Sequence, residues 1–328
     1  MAPVRPVLAH CTDQTVASFE PVRSPSVGHG RASTLHSLER AIYSTLAYRD
    51  IFQFPLTASE IHRYLHGRTA SQDEVAVRIA TGLLRRNYLD SDGLYFALRG
   101  RGDLFPIRHA RTKMSAQQRP TALRMARFLA NLPNVRMVAL TGSLAAGNFS
   151  AGADIDFLLL TDAGTMWRTR ALCRVFALAN KNFGNGLFCP NMFLSAAQGK
   201  LNRQSLYDAQ ELCQMIPLYG LAQYEAVRRM NAWTNIHLPN AEGAPENTDA
   251  CVPFAPGLKR LAEGVLDSPL GRSIESFEAR RKIHRFNNTG RLKGAWTRST
   301  LESHSLWDDM RLRIEAAWKV RMEAIAER

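Results

Sequence analysis

Residues 135–161 read VRMVALTGSLAAGNFSAGADIDFLLLT, and this stretch decides the fold. An apolar run of strand character is interrupted by Gly142 and Ser143, and a second apolar run ends the stretch. Asp154 and Asp156 stand at the entrance to the second run. Because side chains alternate sides along a strand, this spacing places both carboxylates on one face. The stretch therefore predicts two buried strands, joined by a Gly-Ser turn and a short helix.

Two carboxylates on one face form a platform for a divalent metal ion. Mg²⁺ suits such oxygen ligands and keeps several waters, and Mn²⁺ is an alternative. Gly142 permits close backbone approach, and Ser143 offers a hydroxyl at the start of the next helix, where free N–H groups attract phosphates. We therefore expect Asp154 and Asp156 to be catalytic and metal-binding, and Gly142 and Ser143 to bind the phosphates of a nucleoside triphosphate (NTP).

The joined pattern resembles the signature of the DNA polymerase β-like nucleotidyltransferase superfamily. That signature is a hydrophobic residue, Gly, Gly or Ser, a spacer, and then Asp, a hydrophobic residue, Asp or Glu and a hydrophobic residue. Here it reads LTGS at 140–143 and DIDF at 154–157. The resemblance implies an α+β fold with a mixed sheet, and Mg²⁺-dependent transfer of NMP from an NTP to an acceptor hydroxyl or phosphate.

Further stretches extend the resemblance. YRDIFQFPLTASEI, RMVALTGSLAAG, FCPNMFL and QELCQMIPLYG together resemble a bacterial family in which a winged helix precedes a nucleotidyltransferase domain. This resemblance covers residues 38–240 and, more weakly, 301–318. It implies the fold and leaves the acceptor open.

One departure from the superfamily pattern concerns the third carboxylate, which a neighbouring strand usually supplies in active members. The corresponding stretch, GLFCPNMFLS at 186–195, contains Asn191 and no acid. Asn191 is expected to hold the metal through its side-chain carbonyl, but it cannot accept a proton. Asp208 or Glu211 in the next helix could replace the missing acid, or could be ordinary solvated residues. The sequence thus leaves open an active and a degenerate domain.

Basic residues follow the second aspartate strand, in a predicted amphipathic helix over 165–182. Arg170 and Arg174 share a helix face at a spacing of four residues, and Lys181 lies further along. We expect Arg170, Arg174 and Lys181 to bind the triphosphate. The alternative for all three is ordinary helix-surface charge.

Residues 37–100 predict three helices and a hairpin, which is the order of a winged helix-turn-helix. A Ser or Thr followed three residues later by Glu is a capping box, and one opens each of the second and third helices. These boxes are Thr57 with Glu60, and Ser71 with Glu74. Asp92-Gly93 then marks a tight hairpin turn. Such a module places its third helix in the DNA major groove, or it packs against another domain.

Basic residues on that third helix and beyond the hairpin favour contact with nucleic-acid phosphates. They are Arg78, Arg85, Arg86, Arg99 and Arg101. Asp73 and Glu74 at the start of the same helix count against this contact, because carboxylates repel phosphates.

The remaining sequence completes four predicted regions. Residues 1–36 form a disordered leader, 37–100 the winged helix, 101–240 the transferase core and 241–328 a helical region at the carboxyl end. Within the core, 101–120 is expected to be a basic connector, and 205–230 to be helical around Pro217.

Composition narrows the class of protein. The chain has 328 residues and a formal net charge of +13, which favours polyanionic partners such as nucleotides or nucleic acid. No apolar run approaches the roughly 20 residues that span a bilayer, so no membrane partner is expected. Five scattered cysteines without CxxC spacing favour free thiols and a cytoplasmic location.

The leading hypothesis is an Mg²⁺-dependent nucleotidyltransferase. The alternative is a DNA-binding regulator whose degenerate transferase domain senses a nucleotide.

Overall fold

A computed structural model describes residues 35–179, 188–246, 253–288, 300–301 and 304–326. Lys181 and almost all of the predicted leader fall outside these ranges. The architecture is α+β, as the sequence predicts. Among the described helices, none is both long and apolar enough to cross a membrane.

The amino-terminal module combines helices with a small antiparallel sheet. Its elements are α1 (Ser37–Asp50), α2 (Ala58–Arg63), α3 (Gln72–Ala80), α4 (Gly82–Tyr88), β1 (Leu89–Ser91) and β2 (Phe96–Leu98). Both predicted capping boxes are present, since Thr57 and Ser71 each accept the backbone N–H of the Glu three residues later. The hairpin turn is also present, because Asp92 accepts two backbone N–H groups and Gly93 has a φ of 98°.

The predicted third helix is in fact two helices. Thr81 is extended, with φ −133° and ψ 172°, and Gly82 has a φ of 83°. Neither conformation continues an α-helix, so α3 ends before Thr81 and α4 begins at Gly82 in a new direction. The prediction of one continuous helix was wrong because Gly82 was treated as a helical residue.

The core is a five-stranded mixed sheet with strand order β6-β3-β4-β5-β7. Its elements and flanking helices are α5 (Leu104–Asn131), β3 (Val135–Thr141), α6 (Gly142–Ala145), β4 (Ile155–Thr161), α7 (Met166–Ala179), β5 (Phe188–Ser195), α8 (Leu206–Gln214), β6 (Ile216–Tyr219), α9 (Leu221–Met230), α10 (Thr234–His237) and β7 (Thr300–Leu301). Strands β4 and β5 are parallel, and the other pairs are antiparallel.

Two local predictions in the core were wrong. The predicted connector 101–120 belongs mostly to α5, because buried Arg108 anchors this segment to Glu60 of α2 and the carbonyl oxygen of Gly147. The predicted helix around Pro217 is instead α8, strand β6 and α9. Pro217 is tolerated because β6 is an edge strand, where a missing N–H leaves no neighbour unsatisfied.

The two faces of the sheet differ in what covers them. On one face, Ile155, Phe157 and Leu159 pack against α5 and α7. On the other face, Leu158 and Leu160 pack against α8 and α9 through apolar residues such as Leu212, Met215, Tyr224 and Val227. Since side chains alternate along β4, the side chain of Asp156 lies on the α8 face.

The carboxyl-terminal region is helical where it is described, with α11 (Pro256–Leu266), α12 (Pro269–Asn288) and α13 (His304–Ala326). Helix α12 packs on α7 and adds Ala279 to the core. Helix α13 returns to the amino-terminal module, where Arg321 pairs with Asp50 at 2.8 Å and Trp318 donates to the carbonyl oxygen of Ser44. The first and last described helices are therefore packed together.

A buried polar network joins the amino-terminal module to α8. The guanidinium of Arg49 donates to Gln210 at 2.7 Å and to Gln214 at 3.3 Å. The side-chain nitrogen of Gln210 lies 3.2 Å from His66 Nε2, and His66 Nδ1 lies 2.8 Å from the Ser44 hydroxyl. Because Arg49 requires the oxygen of Gln210, the Gln210 amide must donate to His66 Nε2, which is therefore unprotonated.

Burial, and secondarily the charges of Arg49 and His237, lower the pKa of His66 to about 3. The folded protein keeps this ring neutral, whereas the unfolded chain binds a proton below pH 6.5. Stability is therefore lost as pH falls from 6.5 towards 3, by up to about 1.4 kcal/mol per pH unit. We expect His66→Gln to flatten this slope, as measured by urea unfolding at several pH values above the range where most carboxylates titrate.

His109→Gln is the matched control, because the His109 ring is 53% exposed beside the hairpin. This variant is expected to keep the steep slope. Equal slopes for the wild type and His66→Gln would contradict the neutral buried imidazole.

Candidate functional site

The Gly-Ser turn lies directly against the aspartate strand. Thr141, the last residue of β3, is paired with Asp156 of β4 in the antiparallel register. Gly142 follows with a φ of 63°, and a Cβ placed on it would lie 2.3 Å from Asp156 Oδ2. Only glycine fits there, since it lacks a Cβ and adopts this φ without strain. Gly142 was predicted to allow close approach of phosphates, and in the structure its backbone lies against the carboxylate of Asp156.

Asp154 and Asp156 lie at the start of β4, as the sequence predicts. Ile155 and Phe157 are completely buried on the far face, while Asp154 and Asp156 are half-buried. Burial raises the pKa of Asp156 well above its usual range, and the charges of Asp154 and then Glu211 raise it further. The structure therefore brings Asp154, Asp156 and the turn together, and it adds Glu211.

Thr141 presents an unsatisfied polar atom at the same place. Thr141 is only 6% exposed, and its hydroxyl has no hydrogen-bond partner among the described residues. Residues paired across an antiparallel ladder project to the same face, so this hydroxyl lies beside Asp156. A buried hydroxyl without a partner costs about 1–3 kcal/mol, which a bound ligand or water can recover.

Ser143 lies in α6, which is a single turn of helix. Its carbonyl oxygen accepts the backbone N–H of Asn148, so the loop after the turn folds back on it. The dipole of a four-residue helix is small, although the first N–H groups of any helix lack partners within that helix. Ser143 can therefore contribute backbone N–H groups and a hydroxyl, but little helix dipole.

Of the two acids considered as replacements for a third carboxylate, Asp208 already has a structural role. It accepts the backbone N–H and hydroxyl of Ser205 and so completes the capping box of α8. Glu211 accepts the side-chain N–H of Gln214 at 2.7 Å. Burial raises the pKa of Glu211 to about 7, against the opposing charge of Arg49. Glu211 is thus the acid of α8 that belongs to the site.

Two buried phenols surround this acid. The pKa of Tyr207 is raised well above its usual range by burial, and secondarily by the charges of Glu211 and other neighbours that include Asp156. Tyr48 of α1 packs against Tyr207, and its pKa is likewise raised by burial. The carboxyl end of α1 therefore forms one wall of the acidic site.

Asn191 lies at an irregularity of β5. Phe157 is paired with Pro190 and Leu158 with Met192, so Asn191 is the extra residue of a bulge. Cys189 is the residue paired with Asp156, and it is disulfide-bonded. The expectation of free thiols is therefore wrong for Cys189, whereas Cys173 and Cys213 are free and buried. A bulge cannot be read from composition, so the sequence did not reveal which residue faces Asp156.

The basic residues of α7 lie away from the acids. The charges that act on Arg170 are those of Cys173, Arg174, Glu278 and Arg281, so this side of α7 faces α12. Helix α7 covers the sheet face opposite to Asp156, and Arg174 is exposed there. The structure does not bring Arg170 and Arg174 to the predicted phosphate site. The third predicted residue, Lys181, lies outside the described ranges.

Within the described part of the chain, no group of three or more His, Cys, Asp or Glu side chains is arranged to hold a metal ion. Asp154 and Asp156 are therefore a pair of acids, and the charge of Glu211 acts on Asp156. Comparison with known proteins finds no matching family model, no matching curated protein and no matching solved structure.

The contacts of several site residues carried no recognisable sequence signal. Arg49 lies 161 residues from Gln210 and 165 residues from Gln214 along the chain. All three residues belong to stretches that carry the family resemblance, but nothing in those stretches indicates that they are in contact. Thr141 lies inside the signature at a position that the signature does not specify. The only available signal was the acidic spacing of α8, which suggested Glu211 and Asp208 equally.

We expect Gly142→Ala to destabilise the protein by about 1–3 kcal/mol more than Gly164→Ala. Both glycines have a φ near 70°, but a Cβ at Gly164 would meet nothing within 4 Å, whereas one at Gly142 would collide with Asp156. Urea unfolding of the two variants measures the difference. Adding Asp156→Ala to Gly142→Ala should restore part of the loss, since the collision is removed. Equal destabilisation by the two single variants would contradict the contact.

Proposed function

We propose that this protein is a nucleotidyltransferase that uses a divalent metal ion, Mg²⁺ or Mn²⁺, and an NTP. The observation that carries the proposal is the contact between the Gly142 turn and the carboxylate of Asp156, with Asp154 beside it. The proposal includes membership of the DNA polymerase β-like superfamily. It is supported by the antiparallel β3–β4 pair around the turn and by β5, which runs parallel to β4 after the α7 crossover.

The residues at the site fit a divalent metal ion. Asp154 and Asp156 supply carboxylate oxygens, and the partnerless hydroxyl of Thr141 is a further oxygen at the same edge. Two protein carboxylates together with substrate phosphates are a common arrangement for Mg²⁺. Asp154 and Asp156 would hold the metal, which when bound would supply positive charge for the substrate phosphates and activate the attacking hydroxyl.

The proposed reaction is attack of an acceptor oxygen on the α-phosphorus of the NTP. The new oxygen–phosphorus bond forms as the bond to the β-phosphate oxygen breaks, and pyrophosphate leaves. Gly142 and Ser143 would donate backbone N–H groups to the phosphates, and so orient them in line with the acceptor. The protein would thus act mainly by positioning its substrates and by stabilising the developing charge.

We expect Asp156→Asn to abolish Mn²⁺ binding and NMP transfer without loss of stability. Removing one charge relieves repulsion from Asp154 and Glu211, so the metal-free variant should be as stable as the wild type, or more stable by about 1 kcal/mol. Mn²⁺ binding is measured by electron paramagnetic resonance, transfer with α-³²P-labelled ATP, and stability by urea unfolding.

Asp162→Asn is the matched control. Asp162 lies at the other end of β4, where it pairs with Arg136 at 2.5 Å. This variant should lose stability but retain Mn²⁺ binding and transfer. Normal transfer by the double variant Asp154→Asn, Asp156→Asn would rule out the proposed mechanism.

A second candidate function is DNA binding by a regulator that senses a nucleotide. The helices and hairpin of the amino-terminal module fit a winged helix, and a backbone pair between Leu56 and Phe96 adds a strand position beside the hairpin. Arg78 and Arg86 are exposed on its outer side, which is the observation that favours this function.

The other predicted phosphate contacts are weakened by ion pairs within the protein. Arg99 pairs with Asp90 at 3.0 Å, and Arg101 pairs with Asp50 at 2.8 Å. The bend between α3 and α4 also shortens the helix that would enter the groove. Nucleotidyl transfer therefore stays the leading proposal.

If this module binds DNA, the double variant Arg78→Ala, Arg86→Ala should bind duplex DNA more weakly than the wild type. The slope of log binding constant against log salt concentration should become shallower by about two units. Fluorescence anisotropy at several salt concentrations measures both quantities. Arg124→Ala with Arg127→Ala on α5 removes the same charge from another exposed surface and serves as control. Identical curves for the two double variants would show that the module does not contact DNA specifically.

A further inference from the structure

The apolar stripe of helix α11 faces away from the core. Leu258, Leu261 and Val265 recur at spacings of three and four residues, and they are 63–67% exposed. The opposite side of the helix is polar, since buried Lys259 donates to two backbone carbonyl oxygens and Glu263 accepts a backbone N–H. A helix on the surface of a globular protein ordinarily buries its apolar stripe. In α11 the polar side holds the helix to the core, and the apolar side is left exposed.

Helix α12 shows the same reversal. Its inner side is held by Glu275, which accepts two backbone N–H groups at the start of α7, and by Ala279, which joins the core. Its outer side carries Leu270, Ile274 and Phe277, which are 40–68% exposed. These spacings of four and three residues form a second apolar stripe along one side of the helix.

The two stripes adjoin, and together we call them the outer apolar surface. Only two residues separate α11 from α12, and a Cβ on Gly271 would collide with the carbonyl oxygen of Leu266, so the junction is tight. Six large side chains exposed to this degree present about 100 Å² each, or roughly 600 Å² in all. This matches the largest patches of typical monomers, and with its polar rim it approaches the roughly 800 Å² per partner of a standard interface. The area is therefore sufficient for a stable protein contact.

We propose that the outer apolar surface binds the same surface of a second copy of this chain. A two-fold dimer uses one patch twice, so the patch must offer both projecting side chains and recesses. Leu261 and Val265 project, and Gly264 between them supplies a recess. A Cβ on Gly264 would meet nothing within 4 Å, so no contact of the described chain requires glycine there. Glycine is unfavourable inside a helix, and the close approach of a partner helix accounts for it.

The charges beside the stripe of α11 fit an antiparallel copy. Arg260 precedes Gly264 by four residues and Asp267 follows it by three, and a separation of seven residues places both charges on one flank of the helix. A two-fold axis at Gly264 brings like flanks together with reversed direction, so Arg260 lies within about 2 Å of the partner's Asp267 along the helix axis.

The position of Asp267 favours a second copy over a lipid surface. Its side chain is 61% exposed although it pairs with Arg168 at 2.8 Å, so its carboxylate is accessible to a partner. An accessible acid at the junction of the two stripes is repelled by anionic lipid headgroups, whereas it pairs with Arg260 of a second copy.

The proposed dimer leaves the acidic site open. Helix α12 packs on α7, which covers the face of the sheet opposite to Asp156. The dimer is therefore independent of the proposed nucleotidyl transfer, and its test measures association rather than activity.

Sedimentation velocity of the full chain at micromolar concentrations should show a dimer. Leu261→Glu places a charge within the surface and should raise the dimer dissociation constant at least about 100-fold. Gly264→Leu should also weaken the dimer, yet raise the stability of the monomer to urea, because leucine favours a helix and its Cβ meets nothing in the described chain. Ile236→Glu is the matched control, since Ile236 of α10 is 73% exposed away from this surface and its loss should leave the dimer unchanged.

A charge exchange tests whether the partner is a second copy in the antiparallel register. Arg260→Asp should weaken the dimer about tenfold, because two like charges then meet on each side of the axis. Adding Asp267→Arg should restore the dimer, since both pairs are then present in reversed order. Failure of the second change to restore the dimer would overturn the antiparallel pairing.

Other outcomes overturn the dimer altogether. A wild-type chain that stays monomeric throughout the micromolar range does so, and so does a dimer that Leu261→Glu and Gly264→Leu leave intact. A monomeric wild type that binds vesicles of phosphatidylserine and phosphatidylcholine, with binding lost in Leu261→Glu, assigns the surface to lipid instead. Salt separates the two occupants further. The net charge of +13 makes copies repel one another at low salt, so the dimer should persist as salt rises, whereas binding to anionic vesicles should weaken.

Discussion

The buried guanidinium of Arg49 is the constraint on which the rest of the site depends. A charge that is removed from water costs several kcal/mol unless neighbouring dipoles and charges compensate for it. Here the compensation comes from the oxygens of Gln210 and Gln214, from the face of the Tyr64 ring at 4.7 Å and from the field of Glu211. These groups lie on two different parts of the chain, so the compensation exists only when the amino-terminal module is packed on α8. The module and the core are thus joined by electrostatics as well as by apolar contact.

The cluster of Asp154, Asp156 and Glu211 lacks the compensation that stabilises Arg49. Asp154, Asp156 and Glu211 repel one another, and burial adds to the cost of keeping them ionised. Such an arrangement reduces stability, which proteins commonly tolerate where a ligand restores the balance. The close contact of Gly142 with Asp156 has the same character, because it limits the positions that this carboxylate can adopt. A negatively charged edge in which the backbone approaches the carboxylate closely is suited to bind a cation together with phosphates.

The two faces of the sheet differ: one face forms the packed core, and the other carries the acids of the proposed site. Its α7 face is packed mainly with apolar side chains, and Arg168 on that side donates to Asn134 and Asp267. Its α8 face carries Thr141 and Asp156 at the edge and an apolar cluster further along. This division explains why Arg170 and Arg174 lie far from the acids although they follow β4 closely in sequence. The helix after β4 packs on one face of the sheet, while the side chain of Asp156 lies on the other.

Local sequence determined the features that depend on neighbouring residues. These include both capping boxes, the Asp92-Gly93 turn, the two buried strands, and the position of Asp154 and Asp156 at the entrance to β4. Each follows from periodicity or from hydrogen bonds within four residues, so the sequence contains the physical cause. Tertiary structure alone decided that Pro217 lies in an edge strand and that Asn191 forms a bulge between the partners of Phe157 and Leu158. It also decided that Glu211 rather than Asp208 belongs to the site. It also brought Arg49 to α8 across 161 residues, because burial and electrostatic compensation arise only between segments that the folded chain places together.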